Sequence, residues 1–250
     1  MTLPAGFFDR PFAHRALHGP GRPENSREAI LAAVEAGFGI EVDVQRTADG
    51  QAVVFHDYGL KRLTGTDGTV QTTDADALAR IPLLGGPTGA PPLDEVLTLV
   101  AGRVPLVIEI KDQDGAMGPN VGALEAEVAQ AIAGYTGPLA VMSFNPHSVA
   151  RMAELAPDVP RGIVTCAFTL KSWPVVPTPR RLELAGIPDF DRVGACFISH
   201  DHRSLGSSKA VARLKAQGVP VLCWTIRSED EARAARQVAD QITFEGYMPA

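Results

Sequence analysis

Three carboxylates and two histidines stand where short apolar runs give way to polar residues. In GIEVDVQ, Glu41 and Asp43 lie two residues apart, as do Glu109 and Lys111 in VIEIK, so in an extended strand each pair projects from one face. Ile40, Val42 and Val44 then share the opposite face. A single such acid could be a structural salt-bridge partner of Arg15, Arg46 or Lys111. Three acids on adjacent strands, turned toward one interior, repel one another and are costly to ionise unless a cation neutralises them. An all-oxygen donor set selects a hard divalent ion, Mg²⁺ or Ca²⁺, over zinc. His14 and His56 end strands beside these acids, and an imidazole exchanges protons near neutral pH. Arg15 and Lys111 add fixed positive charge suited to an anionic substrate, with arginine forming a fork onto phosphate. One metal, two histidines and two cations together fit phosphoryl transfer, a reaction helped mainly by positioning and charge neutralisation. His18, His147, His200 and His202 have no carboxylate cluster nearby in sequence and read as structural.

The elements that must hold these residues form a regular alternation. Strand patterns fall at 11–15, 38–45, 105–111, 139–144, 161–166, 195–200, 220–225 and 241–246, with helical patterns between them. Helix starts are signalled by Asn25 with Glu28, by Asn145 before Pro146 and by Ser228 with Glu231; Gly37, Gly134 and Gly218 signal stops. Eight apolar strand runs alternating with helices in 250 residues predict an α/β fold of the (β/α)₈ TIM-barrel type, one domain spanning residues 1–250. An open doubly wound sheet lacks support, because no βα turn carries G-x-G-x-x-G or a P-loop. Residues 46–93 break the alternation with an extra strand pattern, QAVVFHD, then a Gly/Thr-rich and a Pro-rich stretch, and read as an insertion over the barrel mouth. Residues 167–193, with four prolines and Trp173, read as a long loop.

Composition narrows the partners. Lys and Arg number 23 against 29 Asp and Glu, a net charge of −6 that gives no general attraction to nucleic acid. No run of 18 apolar residues or signal-like leader occurs, so stable membrane insertion is not expected and a cytoplasmic location is. Cys166, Cys196 and Cys223 cannot all pair and read as buried free thiols. Oligomeric state leaves no mark on the sequence.

The segments FAHRALHGPGRPENS, GIEVDVQRTADGQAVVFHD, the following L-x-R-L-T-G and VIEIK, in this order and spacing, strongly resemble the glycerophosphodiester phosphodiesterase family across essentially the whole chain. The resemblance implies a TIM barrel with a small insertion after the second barrel strand. It implies His14 and His56 as the general acid/base pair, Glu41, Asp43 and Glu109 as ligands of one divalent cation, and Arg15 and Lys111 as phosphate contacts. Trp224 corresponds to an aromatic at the mouth of the seventh strand, near the alcohol part of a small-molecule phosphodiester substrate. The implied reaction yields glycerol 3-phosphate and an alcohol through a cyclic phosphate. Two departures stand out. The family's His-Arg-Gly is His14-Arg15-Ala16 here, where an alanine would be crowded at positive φ, and the last strand ends Phe244-Glu245-Gly246 in place of an Asp before a Pro. Asn25, within Pro-Glu-Asn-Ser, is expected to cap the first helix. The alternatives are a lysophospholipase D-type enzyme acting on lysophospholipids, whose secreted forms carry disulfides not matched here, and a non-catalytic ligand-binding barrel. An amidohydrolase would need His-x-His on the first strand, which His14-Arg15-Ala16 does not supply.

Overall fold

A computed structural model of the chain describes residues 1–249. The strands are β1 (Phe12–Ala13), β2 (Gly39–Arg46), β3 (Ala52–Val54), β4 (Leu106–Ile110), β5 (Leu139–Ser143), β6 (Arg161–Thr165), β7 (Phe197–Asp201), β8 (Val221–Ile226) and β9 (Gln241–Phe244). All but β3 run parallel, in the order β1-β2-β4-β5-β6-β7-β8-β9. The sheet closes because β1 pairs with both β2 and β9. This is a closed eight-stranded TIM barrel, and every one of the eight expected strand runs contributes one of its staves.

The helices are α1 (Arg27–Ala36), α2 (Lys61–Thr64), α3 (Ala75–Arg80), α4 (Leu93–Val100), α5 (Ala123–Ile132), α6 (Pro146–Leu155), α7 (Thr178–Gly186), α8 (His202–Leu205), α9 (Lys209–Ala216) and α10 (Glu229–Ala235). None is long and apolar enough to cross a membrane. Two apolar layers follow from the strand period. Ile40, Val42 and Val44 face the helices in the main core, whereas Phe12, Val107, Ala140, Val164, Phe197 and Leu222 fill the barrel interior. Rings in that interior dictate two glycines. A Cβ on Gly39 would stand 2.8 Å from the Phe12 ring, and one on Gly162 would stand 2.5 Å from the Phe197 ring. Gly162→Ala is therefore expected to destabilise the barrel by about 2 kcal/mol or more, read as a lower denaturation midpoint in urea.

Residues 47–92 lie between β2 and α4, within the stretch 46–93 that breaks the alternation in the sequence. Its strand β3 runs antiparallel to β2, with Val44 opposite Val54, and it carries α2, a 3₁₀ turn (Val70–Thr72) and α3 over a small apolar core of its own built on Phe55, Leu60 and Leu63. Two sequence expectations need correction. The first helix is capped by Ser26, whose Oγ accepts from the Ala29 N–H at 3.2 Å, and not by Asn25, which sits at φ +57° outside the helix. Residues 167–193 are not wholly loop, because α7 forms within them. Prolines suit the start of a helix, where the missing N–H has no intrahelical partner, so Pro177 before it and Pro179 in its first turn begin the helix instead of preventing it. Cys166 and Cys223 are buried, Cys196 is half-buried, and all three thiols are free.

Candidate active site

At the C-terminal ends of the strands, Glu41, Asp43 and Glu109 converge. β2 and β4 are neighbours in register, with Asp43 opposite Glu109, and Glu41 lies one pleat deeper on the same inward face. One carboxylate oxygen from each lies within 4.8 Å of one from each of the others, and all three residues are buried. Two oxygens that each bind one hard ion at about 2.0–2.6 Å are about 5 Å apart at most, so the spacing suits a single divalent ion. The cations already present do not suffice. Lys111 Nζ lies 2.6 Å from both Asp43 Oδ1 and Glu109 Oε1, and Arg15 Nε lies 3.7 Å from Asp43. Burial would raise the Asp43 pKa, but the charges of Lys111, His56 and Arg15 outweigh it and hold Asp43 far below the usual carboxylate range. Glu41 goes the other way. Burial, then the charges of Asp43 and Glu109, push its pKa well up, against the Arg15 N–H that donates to Oε2 at 2.9 Å and the charge of Lys111. A carboxylate left without its share of positive charge is the signature expected of a cation ligand.

A strained turn aims that N–H. Arg15 (φ +53°) and Ala16 (φ +63°) are both left-handed, a conformation costing a residue with a Cβ about 1–2 kcal/mol. The crowding expected of Ala16 is thus real. Asn25, also left-handed, donates from Nδ2 to Asp43 Oδ2 at 3.0 Å, so it serves the acidic cluster where a helix cap was expected. On a third side, Gln45 Nε2 donates to the carbonyls of Phe55 (3.0 Å), His56 (3.1 Å) and Asp57 (2.6 Å), pinning the insertion loop that carries His56. Tyr58 closes the same loop onto the end of β4 by donating to the Asp112 carbonyl at 2.8 Å.

Each histidine of the pair is bound through Nδ1 to a carboxylate, His14 to Glu245 Oε2 at 2.6 Å and His56 to Asp57 Oδ1 at 2.7 Å. An ionised carboxylate only accepts, so both rings carry Nδ1–H and keep Nε2 for proton exchange. Burial lowers the His14 pKa and the Glu245 hydrogen bond opposes it. Glu245 is itself held far below the usual carboxylate range by His14, with His18 Nε2 at 3.6 Å and Arg227 at 2.5 Å also beside it. Asp57 is lowered as well: burial opposes the shift, but the His56 hydrogen bond and Arg62 prevail. Arg62, the arginine of L-x-R-L-T-G, spans Asp57 (2.6 Å) and Glu24 (2.7 Å), and Glu24 in turn accepts from Arg15 at 2.8 Å. One chain of ion pairs, Asp57–Arg62–Glu24–Arg15, therefore joins the insertion beside His56 to the barrel at the residue after His14.

Removing the Glu245 charge should lower the His14 pKa further. In Glu245→Gln, kcat should fall about tenfold and one limb of the bell-shaped pH profile should move to lower pH. The acidic limb moves if His14 is the base, the basic limb if it is the acid. Unmoved limbs would detach Glu245 from the chemistry.

All eight residues singled out in the sequence line one cavity of about 280 Å³: His14, Arg15, Glu41, Asp43, His56, Glu109, Lys111 and Trp224. Trp224, preceding a cis peptide to Thr225, donates from Nε1 to the Ser199 carbonyl at 3.1 Å and lies across the mouth from the acids. The cavity also holds residues that sequence reasoning passed over. His202 lines it, as does Asp201, which is paired with Arg203 at 2.5 Å. Of the other discounted histidines, His200 is buried between Thr165 (2.5 Å) and Ser204 (3.0 Å) with its pKa pushed down to about 4, a structural role. The signal for Asp57 was its place directly after His56; for Glu245 it was the acid ending the last strand.

Comparison with known proteins bears on the family and the fold. The sequence profile of the "Glycerophosphoryl diester phosphodiesterase family" matches residues 14–241. A glycerophosphodiester phosphodiesterase of Caldanaerobacter subterraneus subsp. tengcongensis is 28% identical over 231 residues, covering 88% of this chain and 87% of that protein. A glycerophosphodiester phosphodiesterase of Bacillus altitudinis is 33% identical over 163 residues, covering 62% of this chain and 65%, just under two thirds, of that protein. Among solved structures, an Oleispira antarctica phosphodiesterase in complex with the product sn-glycerol-3-phosphate superposes with a TM-score of 0.75 at 23% identity, over 96% of this chain and 94% of that one, and shares the fold. The chain belongs to the glycerophosphoryl diester phosphodiesterase family.

Proposed function

We propose that this protein hydrolyses glycerophosphodiesters to glycerol 3-phosphate and an alcohol, with a divalent cation held by Glu41, Asp43 and Glu109 and with His14 and His56 as the acid/base pair. The observation that carries this reading is the placement of both carboxylate-bound histidines on the same cavity as the acidic cluster. A bound Mg²⁺ or Ca²⁺ supplies positive charge against the phosphoryl oxygens. Arg15 and Lys111, half-buried and held against their acids, add two fixed positive charges there and need no reorganisation as charge develops.

One histidine takes the proton of the glycerol hydroxyl next to the phosphoester through Nε2. That oxygen bonds to phosphorus while the bond to the leaving alcohol breaks, and the other histidine gives the alcohol its proton. The histidines, having exchanged protonation states, then act in reverse: the one now basic activates water, and the one now protonated returns its proton to the glycerol oxygen as the ring opens. Glu245 and Asp57 stabilise the imidazolium that each partner forms in turn.

Phosphorus-31 NMR of glycerophosphocholine and glycerophosphoethanolamine incubated with the protein and Mg²⁺ or Ca²⁺ tests the reading. Glycerol 3-phosphate is the expected product, with a transient cyclic glycerol phosphate. Release of phosphocholine and glycerol, or an unchanged diester with both ions, would overturn it.

A further inference from the structure

Beside the catalytic cavity lies a second, larger one of about 530 Å³, and the two share Asp201, Arg203 and Trp224. Its walls come from the segment after β6, Cys166 and Phe168 and then Trp173, with Trp224 of β8 also in the lining. These rings belong to one aromatic cluster, with Phe168 and Trp173 centroids 5.2 Å apart and Phe144 standing 4.9 Å from Trp173 and 5.6 Å from Trp224.

The polar groups in these walls are already engaged. Trp173 Nε1 donates to Cys166 Sγ at 3.2 Å, and Trp224 Nε1 to the Ser199 carbonyl. The Thr169 and Ser172 hydroxyls hydrogen-bond each other at 3.2 Å, and Ser204 is bound to His200. Asp201 is neutralised by Arg203, which leaves Lys171 as the uncompensated charge in the lining. A polar alcohol entering here would lose its water against walls that offer it little besides the Lys171 ammonium. A quaternary ammonium could use the rings but would meet net positive charge. An apolar group would gain by burial alone. Leu170 and Val175, 63% and 73% exposed, extend the apolar surface outward along the same segment.

We infer that this aromatic side cavity is a subsite for a hydrocarbon substituent of the phosphodiester, so that the substrates handled best carry an alkyl or acyl chain in addition to the glycerol phosphate. The inference rests on the phosphodiesterase reading for the position of the phosphate. The chain could hang from the glycerol or from the leaving alcohol, and the chemistry of the subsite is the same for both.

The test compares kcat/KM, below micelle-forming concentrations, for glycerophosphocholine, 1-octanoyl-glycero-3-phosphocholine and glycero-3-phospho-octanol with the divalent-ion-loaded protein. At least one octyl-bearing diester should exceed glycerophosphocholine at least tenfold, chiefly through KM, and which one identifies the end that enters the cavity. Trp173→Ala, which removes a wall, and Thr169→Phe, which fills the space, should each bring that ratio close to one. Equal values for all three substrates in the wild type, or a ratio untouched by both variants, would overturn the inference.

If no diester is cleaved, the phosphodiesterase reading fails and the subsite is judged by binding. Trp173 and Trp224 are the two tryptophans of the chain and both line the cavity, so octylphosphocholine should shift their emission saturably, with a smaller amplitude in Trp173→Phe. An emission spectrum indifferent to octylphosphocholine would dismiss the subsite as well.

Discussion

Replacing either His14 or His56 by glutamine should lower kcat for glycerophosphocholine by about 10²–10⁴, the usual worth of a positioned proton donor or acceptor. Glutamine fills much of the same space and can still donate to Glu245 or Asp57, and the Asp57–Arg62–Glu24–Arg15 chain that joins insertion and barrel uses neither ring, so both supports should survive. What it cannot do is carry a proton between the glycerol hydroxyl and the leaving oxygen. The two losses should not add. Once one proton transfer is missing, the reaction proceeds by whatever path positioning and charge provide, and the double variant should be little slower than the poorer single one. Steady-state kcat, measured alongside thermal denaturation, decides the matter: a single variant that keeps a third or more of wild-type kcat would remove that histidine from proton transfer.

Glu41→Gln should produce effects of opposite sign on activity and stability. Its carboxyl is buried beside two other acids, and that environment pushes its pKa well above the 4.5 it has in the unfolded chain. The folded metal-free protein thus holds a proton there that the unfolded chain releases. Stability from this group is fully present below pH 4.5 and is lost as pH rises through the higher folded value. A neutral amide escapes that loss. At pH 7–8 in chelator, Glu41→Gln should be more stable than wild type, because the amide has no charge to hold beside Asp43 and Glu109. Adding Mg²⁺ or Ca²⁺ should reverse the order. An ion that binds the native state a hundredfold above its Kd adds about 2.7 kcal/mol, and a variant lacking one of three ligands should gain much less while losing turnover by at least 10²-fold. Urea denaturation with and without the ion measures both halves. A variant less stable than wild type in chelator would show that Glu41 is not strained by its neighbours.

The barrel was legible because its strands are buried on both faces and so read as unbroken apolar runs, and the acids of the site were legible because they interrupt those runs at Glu41, Asp43 and Glu109. The spacing of two that singles out Glu41 with Asp43 is the same spacing that turns Ile40 and Val42 to the helices. Less of the surrounding support could be read. Glu245 stands 231 residues from His14, and only the pairing of β1 with β9 brings them together. Asn25 satisfies the composition of a helix cap, but Ser26 competes for the same position and takes it, freeing Asn25 for Asp43. The prolines of 167–193 mark turns and helix starts alike, so α7 was hidden among them. The aromatic side cavity was invisible for a related reason: Phe168 and Trp173 come from the segment after β6 and Trp224 from β8, and they meet only at the barrel mouth.

Titrating Mg²⁺ or Ca²⁺ back into chelated protein while following glycerol 3-phosphate release from glycerophosphocholine bears most directly on the role of the Glu41–Asp43–Glu109 cluster. Turnover should be absent in chelator, rise saturably to a plateau at one bound ion per chain, and fail to recover in Glu41→Gln. Full turnover in the presence of chelator would contradict a catalytic ion at these three carboxylates.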